Sequence, residues 1–215
     1  MPLTWSSAFV VALGSALPIA AAVGAPSSGP TPPAPVAPAP AGPTAMTLGP
    51  VAGQTAVSGN HGGTTWSFGI DGTRGITGLS IGEKSDDPCY MSLEKKDDDD
   101  GSDTTSPYTS QCNGGAHSVD LNVSFPNNPR YFVRGISVCL SNSGKVKGVA
   151  IVAAKLPAGS SDVEELVDFT SDQLTNCSTW KPWVYCPTNS IAQGMLIEAD
   201  GDTFVGLALD CDYRS

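Results

Sequence analysis

A six-residue strand pattern that occurs three times constrains the fold of this chain more than any other feature. The pattern is an apolar residue, any residue, glycine, an apolar residue, a small residue and an apolar residue. It occupies residues 76–81, 146–151 and 204–209. Alternating apolar residues predict strands with one buried face, and a glycine within a strand is typical of a bulge or a close backbone approach. The copies are 70 and 58 residues apart, which suits a sheet of three or four strands per copy.

The last two copies also match each other upstream of the pattern. Residues 132–138 correspond to residues 191–197, and a turn-rich piece follows each of them, Asn142-Ser143-Gly144 in one and Asp200-Gly201-Asp202 in the other. Each copy therefore predicts a β-hairpin. Three small antiparallel sheets that each bury one face can close around a shared core. We predict an all-β, disulfide-bonded threefold β-prism over residues 55–215.

The chain carries no Asp, Glu, Lys or Arg before Asp71. Residues 8–13 form an apolar run, and small residues continue to Ala25, so residues 1–25 are predicted to be a secretory signal peptide. The alternative is a buried or membrane-spanning helix, although glycine, serine and proline interrupt the run. Residues 26–50 hold nine of the 18 prolines, and proline can join neither a helix nor a sheet ladder. Residues 26–54 are therefore predicted to be a Pro/Ala-rich flexible linker.

The cysteines agree with export. An even number of cysteines in a signal-bearing chain implies disulfides, although spacing alone leaves fifteen pairings open. They are Cys89, Cys112, Cys139, Cys177, Cys186 and Cys211. No Cys-x-x-Cys pair occurs, so a zinc site has no local support. Sequons at Asn122 and Asn176 predict glycosylation. We expect a secreted, extracellular protein that does not insert into membranes after signal removal.

The net charge of −10 argues against binding to nucleic acids or to anionic membrane surfaces. Residues 83–103 hold nine acids and three lysines, which predicts a solvated acidic loop. Within it, Asp98, Asp100 and Asp103 would offer oxygen ligands to Ca²⁺ in an alternative interpretation, but the terminal Glu of a spaced calcium loop is missing. No cofactor and no metal site are predicted.

Catalytic patterns are weak. Residues 78–82 fit the G-x-S-x-G nucleophile elbow, but no alternating β/α pattern surrounds them, and Ser80 aligns with Ala150 and Ala208 as a merely small residue. We therefore predict no enzymatic activity. Residues 161–164 have capping-box form and predict a short helix that leads into an edge strand. Three tryptophans would either stack on sugar rings or, as aromatic residues in β domains mostly do, join the core. They are Trp66, Trp180 and Trp183.

The last copy resembles the repeat of the vitelline membrane outer layer protein I family. The resemblance rests on the tryptophan-rich lead at 180–185, the Cys186-Pro187 pair and the strand 201–211 that ends in Cys211. It implies a threefold β-prism and a disulfide between Cys186 and Cys211. It also implies a secreted, non-catalytic coat-matrix protein, with extracellular matrix components or glycans as partners.

The segment Gly59–Trp66 is similar to the glycine-rich opening of jacalin-type lectins, which share the prism fold. That similarity implies a second function, carbohydrate binding by Gly62, Gly63, Asp200 and Asp202. This chain departs from the lectin pattern at Gly206, which stands nearest to the position of the family's sugar-binding aspartate. A third function, a secreted carbohydrate-active enzyme, has no residue constellation behind it.

Overall fold

The protein is represented by a computed structural model, which describes most of the chain after Val51-Ala52. The described residues are 53–69, 74–97, 102, 108–112, 118–125, 130–157, 160, 162–164 and 166–213. The predicted signal peptide and nearly all of the predicted linker lie outside them. The strands are β1 (Ser58–Gly59), β2 (Thr64–Phe68), β3 (Arg74–Lys84), β4 (Asp87–Asp97), β5 (Tyr108–Ser110), β6 (Ser118–Ser124), β7 (Tyr131–Leu140), β8 (Val146–Lys155), β9 (Leu166–Gln173), β10 (Thr179–Trp180), β11 (Val184–Tyr185), β12 (Ser190–Asp200) and β13 (Thr203–Tyr213).

The strands form three antiparallel sheets, each built on one long hairpin. The first sheet has the order β1-β13-β12-β2, the second β5-β4-β3-β6 and the third β10-β7-β8-β9, with β11 also pairing with β7. The three long hairpins, β12–β13, β3–β4 and β7–β8, are the centres of the sheets. Their backbone groups pair on both edges, and their apolar side chains lie on one buried face. The predicted all-β threefold prism is thereby confirmed.

The core lies between the sheets and takes apolar side chains from all three. Leu79 of β3, Ile136 of β7 and Met195 of β12 are at most 1% exposed and belong to one cluster. Burial of such a side chain contributes roughly 1.5–3 kcal/mol. Closure of the three sheets around this cluster therefore supplies the main stabilisation of the prism.

The described residues contain no helix. The short helix predicted from residues 161–164 is wrong, because residues 162–164 are not helical and β9 begins at Leu166. The alternating residues after Leu166 pair with β8 instead, and this makes β9 the predicted edge strand. Within the described ranges, no helix has the length and hydrophobicity that spanning a bilayer requires.

The threefold repeat is present, but its first copy aligns differently from the prediction. Each long hairpin has a register shift just before a glycine of its first strand, so Gly78, Gly135 and Gly194 are equivalent. The β-bulge at each of these places is a feature of the repeat itself. Gly148 and Gly206 are equivalent to each other, on the second strands of their hairpins.

The predicted equivalence of Gly78 with Gly148 and Gly206 is therefore wrong. Gly148 lies opposite Cys139, four residues after Gly135, whereas the residue at that place in the first hairpin is Tyr90. The error arises because the strand pattern fits both halves of a hairpin, since residues 133–138 match it as well as residues 146–151 do.

The acidic stretch is also different from the prediction. Residues 87–97 form strand β4 rather than a solvated loop, and Lys95 within it is only 2% exposed. Pairing with β3 over the whole strand explains the difference, because the buried Cys89, Met91 and Leu93 alternate with more exposed residues. The candidate Ca²⁺ ligands Asp98, Asp100 and Asp103 lie outside the described residues.

Three disulfides join the cysteines in pairs. They are Cys89–Cys112, Cys139–Cys177 and Cys186–Cys211. The third is the pair that the vitelline resemblance implies. It ties the segment before β12 to the end of β13, and both of its cysteines are buried. Each bridge restricts the unfolded chain and thereby favours the folded state.

Replacing Asp210 by Asn should raise the melting temperature at pH 7 and leave it unchanged at acid pH. Burial, together with the neighbouring charge of Asp212, raises the pKa of the Asp210 carboxyl above its ordinary 3.8. The folded state therefore holds the proton more tightly than the unfolded state, so ionisation of Asp210 costs stability above the raised pKa and nothing below 3.8. Thermal melts of both proteins from pH 3 to pH 8 measure this difference, and a gain that persists at pH 3 would contradict the explanation.

Candidate binding site at the hairpin turns

The turns of the three long hairpins meet at one end of the prism, together with the loop between β1 and β2. We call this surface the hairpin-turn end; it comprises residues 60–63, 85–87, 141–145 and 200–203. Side-chain contacts connect the three hairpin turns to one another. Lys145 Nζ lies 2.7 Å from Asp87 Oδ1, and the Thr203 hydroxyl donates to the same oxygen at 3.1 Å. One carboxylate thereby links all three sheets.

The β1–β2 loop is held against the first sheet by a buried carboxylate. Glu198 is 7% exposed, and its two oxygens accept hydrogen bonds from the Gly62 N–H at 3.0 Å and from the Thr65 hydroxyl at 2.9 Å. A Cβ on Gly62 would lie 2.1 Å from the Ala199 carbonyl oxygen. Gly62 is therefore required for packing, and Glu198 positions the loop.

The outer part of this end is open and polar. A Cβ built on Gly63 or Gly201 meets no atom within 4 Å, and Gly201 has a φ of +60°, which favours glycine. Asp200 is exposed, and its carboxylate makes no hydrogen bond or ion pair with any described residue. Asn60 and His61 are exposed on the β1–β2 loop. The surface offers a carboxylate acceptor and amide groups that no contact within the fold fully occupies.

The four residues predicted to bind carbohydrate lie at this end. Gly62 contacts Ala199, the neighbour of Asp200, and Asp202 follows in the same turn. Gly62 has the packing role just described, Gly63 faces open space, Asp200 is exposed and Asp202 is half-buried. The sequence analysis missed Glu198, and its only signal was that it is the one charged residue of the segment 191–199.

A fully buried lysine fixes the β3–β4 turn. Lys147 Nζ lies 2.5 Å from Glu83 Oε1, 2.7 Å from Asp86 Oδ1 and 2.8 Å from the Asp86 carbonyl oxygen, so its ammonium donates three hydrogen bonds. Ser85 and Asp86 have φ angles of 53° and 68°, in a region that non-glycine residues seldom adopt. The lysine holds the turn in this conformation and joins the second sheet to the third.

The electrostatics of the cluster follow from its burial and hydrogen bonds. The hydrogen bond and charge of Lys147 lower the pKa of Asp86, and the hydrogen bond from Lys145 lowers the pKa of Asp87. Burial raises the pKa of Glu83, an effect that Lys147 opposes. Both aspartates are therefore ionised at neutral pH and retain their acceptor oxygens.

The other chemical candidates lie apart from one another. Ser80 is in the middle of β3 and 8% exposed, with no strand-to-helix turn around it. His61 is at the hairpin-turn end, while His117 lies outside the described residues. No three His, Cys, Asp or Glu side chains of the described part of the chain are grouped as a metal site.

The three tryptophans have different surroundings. Trp66 packs on the core with its ring 6.3 Å from that of Phe204, and the Trp180 Nε1 donates to Gln173 Oε1 at 3.2 Å. Trp183 lies on the third sheet and stacks on Tyr185 at 6.0 Å. Core packing therefore accounts for Trp66, whereas Trp183 belongs to a separate aromatic group.

The two sequons occupy different environments. Asn122 is exposed on edge strand β6, while Asn176 is exposed beside the β3–β4 turn. The Asn176 Nδ2 donates to Asp86 Oδ1 at 2.9 Å. Glycosylation of Asn176 would use this same nitrogen, so the modification would disturb the contact with Asp86.

The chain resembles known proteins in fold alone. No protein-family model and no curated protein matches the sequence. Similar solved structures include a mannose-specific jacalin-related lectin from Morus nigra in complex with mannose, with 12% identity and a TM-score of 0.46 over 79% of this chain and 99% of that chain. Frutapin, a lectin from Artocarpus incisa, has 11% identity and a TM-score of 0.46 over 77% and 99%. Calystegia sepium agglutinin has 16% identity and a TM-score of 0.42 over 77% and 99%. Membership of the vitelline membrane outer layer family stays a prediction.

Proposed function

We propose that this protein is a non-catalytic binding protein that recognises glycans at the hairpin-turn end. One observation carries the proposal: the exposed Asp200 carboxylate stands between two open glycine positions, Gly63 and Gly201. Hydrogen bonds and an ion pair within the fold hold the loops on which these residues lie. Sugar hydroxyls are both donors and acceptors, and a carboxylate is a strong acceptor for them. Open glycines leave room for a sugar ring to approach the backbone.

The rigidity of this end supports the proposal. Glu198 fixes the β1–β2 loop, and Asp87 links the turns of the three sheets through Lys145 and Thr203. A binding surface that is already ordered loses little conformational freedom when a ligand binds. Shallow polar sites of this kind gain affinity from preorganised hydrogen-bonding groups rather than from buried apolar area.

The expected result on a glycan array is selective binding by the folded protein. Asp200→Asn and Asp202→Ala should each weaken binding roughly 10- to 100-fold, because a hydrogen bond to a charged group contributes about 1.5–3 kcal/mol. Asp162→Asn is the matched control, because Asp162 is exposed and lies away from the hairpin-turn end. Its segment is held at the far end of β8, where the Glu164 N–H donates to the Lys155 carbonyl. That variant should bind as the unchanged protein does.

The coat-matrix role stays a second prediction, and the same array distinguishes it. Absence of binding on the array would contradict glycan recognition and favour a structural role, provided that circular dichroism shows the protein to be folded. If Asp200→Asn and Asp202→Ala both bind glycans as the unchanged protein does, the binding site lies elsewhere on the prism. Turnover of chitin or peptidoglycan oligomers would contradict the non-catalytic assignment.

We also propose that the protein is secreted. Residues 1–25 would be removed as a signal peptide, and residues 26–54 would remain as a linker before the prism domain. The sequence pattern at the amino terminus and the three disulfides support this proposal. Amino-terminal sequencing of the exported protein should begin near Pro26. Mass mapping of the same sample tests the proposed glycans on Asn122 and Asn176.

A further inference from the structure

Three aromatic side chains form a patch on the face of the third sheet that points away from the core. We call Phe169, Trp183 and Tyr185 the aromatic patch. The Trp183 ring lies 6.1 Å from that of Phe169, edge to face, and 6.0 Å from that of Tyr185, stacked. Phe169 is 38% exposed, which is unusual for so large an apolar residue on a sheet.

The register of the third sheet explains how the patch is assembled. Tyr185 pairs with Gly135, Gly135 with Val152 and Val152 with Phe169, so these residues form one row across four strands. A Cβ on Gly135 would lie 2.6 Å from the Tyr185 ring, so the glycine leaves the space that the ring occupies. The neighbouring row belongs to the core, and side chains alternate along a strand, so this row faces outward.

Two hydrogen-bond donors at this row have no acceptor among the described residues. They are Trp183 Nε1 and Arg134 Nε, and both atoms are buried. Arg134 precedes Gly135 in β7, and its carbonyl oxygen accepts the Cys186 N–H at 2.7 Å. Buried donors normally find an acceptor, and a tryptophan N–H does so in particular. The described part of the fold therefore leaves both donors unsatisfied.

The chain approaches the prism beside this patch. The Gly53 carbonyl accepts the Cys211 N–H at 3.3 Å, Cys211 is bonded to Cys186, and Cys186 follows Tyr185. Further along, the Ser58 hydroxyl donates to the Pro182 carbonyl at 3.2 Å. Residues 53–58 thus run alongside residues 182–186, and Gly53, where the described residues begin, lies near Cys186 and its neighbour Tyr185.

We propose that the aromatic patch is the docking site for the chain's own proline-rich segment, residues 38–50, in polyproline II conformation. This segment has four prolines in 13 residues and no charge, so docking buries no charged group. Its extended length is about 40 Å, at about 3.1 Å per residue, and the patch spans about 12 Å, or roughly four residues. Proline-rich segments dock on aromatic surfaces in this conformation.

The experiment is ¹⁹F NMR of the full chain labelled with 5-fluorotryptophan. Trp183→Phe assigns the Trp183 resonance, and Trp66 in the core is the internal reference. In the test variant, Pro38, Pro40, Pro43 and Pro50 are all replaced by Ser. The Trp183 resonance should shift while that of Trp66 stays in place. A synthetic peptide of residues 38–50 should reverse the shift only at millimolar concentration, because a short tether gives the attached segment an effective concentration of about that size.

A matched control keeps the prolines and introduces the same number of serines, at Ala39, Ala41, Ala45 and Gly49. This variant should retain the Trp183 resonance of the unchanged chain. Identical Trp183 resonances in the unchanged and proline-substituted chains would overturn the proposal. A shift that grows with protein concentration would overturn it too, since a second copy would then supply the segment.

Discussion

Replacing Lys147 by Met is expected to lower the free energy of unfolding by about 3–5 kcal/mol, because removal of one partner leaves a buried charge uncompensated. Glu83, whose side chain is only 11% exposed, would lose the cation that opposes its burial. The Asp86 carbonyl and carboxylate would lose a shared donor, and the turn with two positive φ angles would lose its support. Urea unfolding at pH 7 measures the loss.

Lys145→Met is the matched control. Lys145 pairs with Asp87, but its side chain is 27% exposed and that of Asp87 43%, so water and salt screen the pair. Its removal should cost about 0.2–1 kcal/mol. Equal losses in the two lysine variants would contradict the assignment of Lys147 as the buried link between the second and third sheets.

The loss in Lys147→Met should shrink as the pH falls. In the variant the pKa of Glu83 rises further, so the penalty of its buried charge exists above that pKa and disappears when the carboxyl is protonated. The pKa of Asp86 is lowered by Lys147, so the unchanged protein loses this stabilisation as the pH falls below 3.8. Both effects reduce the difference at acid pH. A difference that stays constant from pH 7 to pH 3 would mean that lost packing, not charge, destabilises the variant.

The sequence predicts the hairpins because their signals are local. Apolar alternation in residues 191–199 and the Asp-Gly-Asp turn after them depend on adjacent residues, so the strands and the turns are visible without a fold. A single copy of the six-residue pattern does not show whether it forms the first or the second strand of a hairpin. Gly78 fits the pattern of either half, and only the bulge opposite β4 shows that it matches Gly135.

The long-range polar contacts could not be predicted from the sequence for a different reason. Lys147 occupies the unrestricted position of the strand pattern, and its partner Glu83 lies 64 residues away. Glu198 and Gly62 are 136 residues apart. Nothing in the spacing of such residues specifies that they meet, because their contact follows from the pairing of distant strands within a sheet and from the closure of the three sheets on one another.

The location of the candidate site was predictable in part. Asp200–Asp202 was expected in a turn and Gly62-Gly63 in a glycine-rich segment, and the fold brings the two to one end of the prism. Their separate roles were not predictable, because the packing role of Gly62 depends on Ala199 and the exposure of Asp200 depends on where β12 ends.

Replacing both Cys186 and Cys211 by Ala should lower the free energy of unfolding by about 3.5 kcal/mol, from the chain entropy released when a loop of this length opens. The two cysteines are 25 residues apart, and alanine fills their buried positions without adding an unpaired polar group. For a domain of this size the melting temperature should fall by roughly 7–14 °C. Removal of Cys139–Cys177, which spans 38 residues, should cost less than about 1 kcal/mol more, because loop length enters as a logarithm. Calorimetry of both double variants measures these losses of stability. A much larger loss on removal of Cys186–Cys211 would mean that this disulfide also holds the segment with Trp183 and Tyr185 in place, besides restricting the unfolded chain.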